Sequence, residues 1–145
     1  MKISSKTLYG IRFLLVLADD MSGSYKQLNE IAKSESISEK FLESIAGQLK
    51  SGGIVDVKRG SKGGYRLSRS PEKIFINDLF NILDGEKLFS DRHDDNNLQE
   101  TINKVAVLNF LSEFEKNIND FLSLKTLYDI ILLKAKININ HYYQI

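Results

Sequence analysis

Between Lys50 and Arg69 the chain carries Lys50, Lys58, Arg59, Lys62, Arg66 and Arg69 against a single acid, Asp56. Cations at that density suit a polyanion, because each one can neutralise a phosphate and release its counterions. Three of them, Lys58, Arg59 and Lys62, lie in or beside the run RGSKGG at 59–64, whose glycines mark a tight hairpin. Upstream, Lys40, Glu43, Ser44 and Gly47 recur at helical spacing as a polar, short-chained face.

The elements that must hold these residues can be read from apolar spacing. Leu42, Ile45, Ala46 and Leu49 follow i, i+3, i+4 and i+7, which predicts a helix over about 38–51 with one stripe on a core. Ser38 is a good N-cap, Glu39 places a carboxylate in the first turn, and Gly52 and Gly53 stop the helix. Gly47 on the polar face costs helix stability, about 1 kcal/mol against alanine, and suggests that another backbone comes close there. Ile54 to Lys58 and Tyr65 to Leu67 read as two short strands joined by the glycine run. A helix followed by a basic hairpin is the layout of a winged helix-turn-helix, whose helix enters the major groove of DNA while the hairpin lies along the backbone. The competing reading is an ordinary surface helix and hairpin with solvated lysines. The two elements together, after the helix pair described next, favour the DNA-facing one.

The 145 residues, 42% hydrophobic and 27% charged, are one domain's worth of globular chain. No apolar run has the length of a membrane span and no signal-peptide pattern opens the chain, so a cytoplasmic protein is expected. With no cysteine, disulfides, zinc thiolate sites and cysteine-ligated iron–sulfur clusters are excluded, and no cofactor is expected. The net charge of +1 hides an asymmetry. Residues 1–70 hold 12 Lys and Arg against 7 Asp and Glu, net +5, whereas 71–145 hold 8 against 12, net −4. The basic half is the one with the predicted helix and hairpin.

In chain order, Ser5 is expected to cap a first helix to about Asp20, with Leu8, Ile11, Leu15 and Ala18 inward and Gly10 allowing close packing. Ser24 and Gln27 have capping-box spacing for a second helix, with Leu28, Ile31 and Ala32 inward, and Glu35 to Ile37 turn into the Ser38 helix. Pro71 ends the hairpin segment. Asn77 is expected to cap a short helix with Leu79, Phe80 and Leu83 inward, closed by Gly85. Residues 86–97 read as a polar loop, where His93 with Asp91, Asp94 and Asp95 reads as solvated rather than as a metal site.

From Leu98 to about Leu122 a helix of roughly 35 Å is expected. Leu98, Ile102 and Val105 fall on one face, and Val107, Phe110, Leu111, Phe114, Ile118 and Phe121 on roughly the opposite one. The second face suits a partner subunit better than a fold-back of the C-terminal segment. Thr126 can cap a last short helix with Leu127, Ile130 and Ile131 inward, followed by an uninformative tail.

The opening MKISSKTLYGIRFLLVLA, the run LNEIAKSESISEKFLESIAGQLKSGGIVDVKRGSKGGYRLSRSPEKI and the later LDGE resemble the Rrf-two family of bacterial winged-helix transcriptional regulators. RGSKGGYRL, similar to the family's wing, is the most specific piece, and the resemblance is close over about residues 1–85. It implies a mainly α fold with a small β-hairpin: a winged helix-turn-helix at 1–85, a loop at 86–97 and a helical dimerisation region at 98–145. It also implies a homodimer on a pseudo-palindromic DNA site, acting as a repressor, with a regulatory protein or small-molecule effector. The cluster-binding branch has three cysteine ligands in the loop; this chain has none. Lys6, Tyr9, Lys40, Ser44, Gln48, Lys50, Ser61 and Lys62 are expected at or near phosphates, and Glu43 and Arg59 are the candidates for base readout. Tyr9, Ser38, Glu43, Arg59, Gly60, Gly63, Gly64 and Tyr65 match the family pattern residue by residue, whereas Lys40 and Lys62 fall on variable positions. The alternative is a winged-helix module that docks a metabolic partner protein. An enzyme is not expected, since no nucleophile–base pair occurs and GSKGG enters a strand rather than the helix a phosphate loop needs.

Overall fold

A computed structural model of the chain describes residues 3–20, 22–85 and 101–144. The elements run α1 (Ser5–Ala18), α2 (Leu28–Glu35), α3 (Glu39–Ser51), β1 (Val55–Lys58), β2 (Gly64–Leu67), a 3-10 turn (Pro71–Lys73), α4 (Ile76–Asp84), α5 (Ile102–Leu124) and α6 (Leu127–Tyr143). The fold is mainly helical with one antiparallel hairpin, in which Val55 pairs with Leu67 and Lys58 with Gly64.

The core gathers the inward stripes of α1, α3 and α4. Phe13, Leu14, Leu42, Ile45, Leu49, Ile54 and Leu79 are fully buried, each contributing roughly 1.5–3 kcal/mol over an exposed position. The α1 stripe is only partly the expected one: Ile11 and Leu15 pack half-buried against the core. Thr7, Gly10, Phe13, Leu14 and Leu17 face inward, while Leu8 is 52% exposed. Residues of SKTLYGIRFLLVLA are apolar around nearly the whole helix, so spacing alone did not select a face. Gly10 does allow close packing, since a Cβ there would stand 2.4 Å from Leu83 Cδ1.

Three caps also differ. Ser4, rather than Ser5, caps α1 by accepting from Thr7 N. The Ser24–Gln27 capping box does not form, because the hydroxyls of Ser22 and Ser24 donate to the Asp20 carboxylate. Three hydrogen bonds from those serines hold Asp20 at a pKa of about 2. Asn77 lies inside α4, whose N-cap is Phe75. There the backbone is satisfied from another quarter, as Ile76 N donates to Lys125 O (2.9 Å) and Leu127 N to Ile74 O (2.8 Å).

The expected start of the long helix at Leu98 lies outside the described residues, as does the 86–97 loop with His93, Asp91, Asp94 and Asp95. Thr126 and Asp129 form a capping box at the start of α6, and this helix continues to Tyr143 through the segment expected to be an uninformative tail. No helix among the described residues is long and apolar enough to cross a membrane.

Candidate nucleic-acid interface

The candidate surface rests on α3. Ser38 caps it by accepting from Phe41 N (3.4 Å), and its inward stripe is buried, so its other face is fixed outward. Lys40, Glu43, Ser44, Gly47 and Lys50 are all exposed. No other part of the described chain lies within 4 Å of a Cβ built on Gly47, so the backbone that this glycine suggested is not supplied by this chain. Gln48 is half-buried, and its Oε1 is buried with no hydrogen-bond partner among the described residues.

Beside α3 stands the hairpin. Arg59, Gly60, Ser61 and Lys62 are exposed at its tip, whereas Gly63 is buried. Gly63 N donates to Gly60 O (3.0 Å), and a Cβ on Gly63 would meet Lys58 O at 2.1 Å, so this residue shapes the turn rather than offering a surface. Gly60 (φ 112°) and Gly64 (φ 138°) occupy backbone regions that other residues rarely adopt. Lys26 and Tyr65 exchange two backbone hydrogen bonds of 2.8 Å, which adds a short third edge to the sheet. Gln27 Nε2 donates to Ser61 O (2.9 Å) and ties the start of α2 to the tip. The sequence spacing assigns Gln27 to a capping box; its amide is used on the wing instead.

Behind the wing, Tyr65 packs edge-to-face on Phe13, with centroids 5.6 Å apart. Burial, and then the negative charge of Glu43, push the Tyr65 phenol above its usual pKa. A polar cleft of about 370 Å³ separates them, lined among others by Gln27, Asn29, Glu39, Glu43, Gly60 and Tyr65. Its two carboxylates, Glu39 and Glu43, offer acceptors to a donor and repel an anion.

The α1 residues are set by other contacts. Tyr9 is half-buried, edge-on to Phe41 at 5.7 Å, with the Arg12 guanidinium 5.4 Å from its ring centroid. Arg12 Nε in turn donates to Glu35 Oε2 (2.8 Å), which locks α1 to the end of α2. At the start of α1, Asp84 accepts from the Ser4 hydroxyl and from Thr7 Oγ1 (2.7 Å), which ties α1 to the end of α4; Lys6 in this first turn is half-buried. Sequence reasoning gave Arg12, Glu35 and Asp84 no site role; isolated polar residues give no periodic signal.

A helix pair, an outward polar helix face and a paired hairpin beside it define the winged helix-turn-helix class. The sequence profile of the Rrf2 family, described as iron-dependent transcriptional regulators, matches residues 3–132, and the chain belongs to that family. It is 35% identical over 85 residues to the HTH-type transcriptional regulator CymR of Bacillus subtilis, covering 59% of this chain and 62% of that protein. With the HTH-type transcriptional regulator NsrR of Bacillus licheniformis it shares 35% over 97 residues, covering 60% and 68%. Several other relatives are matched over about half their length. The solved structure of B. subtilis CymR, the global cysteine regulator of that organism, superposes with a TM-score of 0.72 at 26% identity, covering 90% of this chain and 95% of that one. These relatives are transcriptional regulators, not enzymes.

The iron in the family description finds no thiolate here, as the chain has no cysteine. Among the described residues no three His, Cys, Asp or Glu side chains are grouped to hold a metal. The donor set does not fit a cysteine-ligated cluster.

Proposed function

We propose that the chain is a homodimeric, sequence-specific DNA-binding regulator acting as a repressor. The exposed polar face of α3, with no other part of the described chain within 4 Å of a Cβ at Gly47 and with the cationic wing tip beside it, carries this reading. The helix at 38–51 lies in the major groove and the wing at 59–64 in the minor groove. Lys6, Lys40, Ser44, Gln48, Lys50, Ser61 and Lys62 hold the phosphates, which positions the protein without reading sequence. Tyr9, Ser38, Gly60 and Gly63 contribute by setting the geometry of α1, α3 and the wing. Glu43 takes a hydrogen bond from cytosine N4 and rejects base edges that carry only acceptors. Arg59 extends into a narrow minor groove, whose enhanced negative potential is found in A-tracts.

Residues 1–85 form the DNA-binding part and 98–145 the dimerisation part, joined by 86–97. Phe110 (67% exposed), Val107, Leu111, Phe114 and Phe121 on α5 supply the apolar surface that a second subunit covers, while Ile118 also packs against the chain's own core. Without cysteines, the controlling signal enters through a regulatory protein or a small-molecule effector.

Selection of bound duplexes from a random pool tests the proposal. An enriched inverted repeat with A/T-rich flanks is expected. An unenriched pool would favour a winged-helix module that docks another protein.

A further inference from the structure

The outer face of the wing sheet carries a group that the α3 and wing-tip contacts do not use. Tyr25 stands one residue before Lys26, which bridges to Tyr65, so across the ladder Tyr25 neighbours Arg66. Side chains alternate along β2: Tyr65 points inward to Phe13, which turns Arg66 outward together with Lys58, the partner of Gly64. Gly64 has no side chain in the way. The Tyr25 ring therefore sits with the Arg66 guanidinium 4.7 Å and the Lys58 ammonium 5.8 Å from its centroid.

Two cations from adjacent strands thus converge on one ring. The acid between them is Asp56, which among the described residues receives only Arg66 Nε, at 3.4 Å with both side chains nearly half exposed. Among the described residues neither the terminal nitrogens of Arg66 nor Lys58 Nζ has a hydrogen-bond or ion-pair partner. Solvated lysines repel and spread apart; these are held together on a rigid sheet, next to a tip that already carries Arg59 and Lys62. Converging cations on a flat ring suit an anion of fixed spacing.

We propose that this outer face, Lys58 and Arg66 gathered on Tyr25, grips the phosphate backbone of duplex DNA outside the minor groove that the wing tip enters. The proposal rests on the DNA-binding reading and extends the footprint outward from the dyad at both ends. Lys58 and Arg66 touch phosphate oxygens, and Tyr25 is a positioning residue.

Two duplexes carrying the same selected site test it: one truncated at the wing contact, one extended by about 10 base pairs, a helical turn, on each side. Wild type, Lys58→Ala, Arg66→Gln and the double variant are titrated against both over a salt series, with thermal melts confirming the fold. On the extended duplex the double variant should bind at least about tenfold more weakly at low salt. Its log–log salt slope should be shallower by about 3 to 4, for four lost phosphate contacts per dimer. On the truncated duplex it should match wild type within about twofold, since no phosphate lies in reach. Equal loss on both duplexes, or no loss on the extended one, overturns the proposal while leaving DNA binding intact. Wild type that binds neither duplex overturns the underlying reading instead.

Discussion

The two ends of the chain solve the burial problem in opposite ways. From α1 to α4 the apolar stripes close on one another, and what remains outside is polar and cationic. From α5 to α6, only Leu122 and Leu127 are buried, and Phe110, Phe121, Leu133 and Ile137 stand in the open. A region that completes its own core can devote its surface to a polar partner. One that leaves phenylalanines and leucines exposed needs a second apolar surface before it is stable in water. The charge split agrees, with the first 70 residues at net +5 and the rest at −4.

The largest expected effect breaks the apolar half. Phe110→Asp should leave the chain folded but monomeric in sedimentation, because a buried, unpaired carboxylate costs a subunit interface about 3–5 kcal/mol. DNA affinity should fall with it. A mutant that still sediments as a dimer would place the interface elsewhere.

Next in size, the contrast itself can be measured by truncating a leucine in each half. Leu49→Ala removes a side chain with no exposure and should cost about 2–5 kcal/mol in denaturant unfolding. Leu133→Ala, at a position 57% exposed, should shift unfolding of the monomeric Phe110→Asp background by no more than about 0.5 kcal/mol. Similar costs at both sites would show that α6 is as tightly closed as the core.

Smaller and more selective is the effect of Glu43→Ala. At sites with the recognised cytosine it should cost about 1–3 kcal/mol, and at sites lacking it affinity should rise, as a repelling carboxylate is gone. One common factor across all sites, titrated at fixed salt, would reduce Glu43 to a solvated carboxylate.

The smallest effect concerns the start of α6. Thr126 N donates to Asp129 Oδ2 (2.8 Å), which holds the Asp129 carboxyl below the ordinary 3.8. A depressed folded value means that the ionised form is favoured by folding, so the contribution is present above 3.8 and lost as pH falls through the folded value. Asp129→Asn should therefore melt lower than wild type at neutral pH, with the gap closing in acid. A gap that widens in acid would reverse the sign of this account.

The parts of the molecule legible in the sequence were those with a single clean period. Leu42, Ile45, Ala46 and Leu49 placed α3 and its outward face, and RGSKGG placed the wing. Where apolar residues surround a helix, as on α1, the period selects no face and Leu8 was set inward wrongly. Caps failed where other partners competed: Ser24 turns to Asp20 within its own loop, Gln27 to Ser61 on the wing, and the α4 start to the α5–α6 junction. The Tyr25 group arises from pairing across the sheet between Tyr25 and Arg66, 41 residues apart in sequence, which no local pattern reports.

The central claim, that the apolar half sets two α3 faces at DNA spacing, can be measured on the protein alone. Because the chain has no cysteine, Ser44→Cys gives one spin label per protomer on the outward face of α3. Pulsed dipolar spectroscopy should return one main distance near 34 Å, one turn of B-DNA, or near about 68 Å, two turns. No dipolar coupling, or a single distance midway at about 50 Å that persists with selected DNA bound, would contradict it.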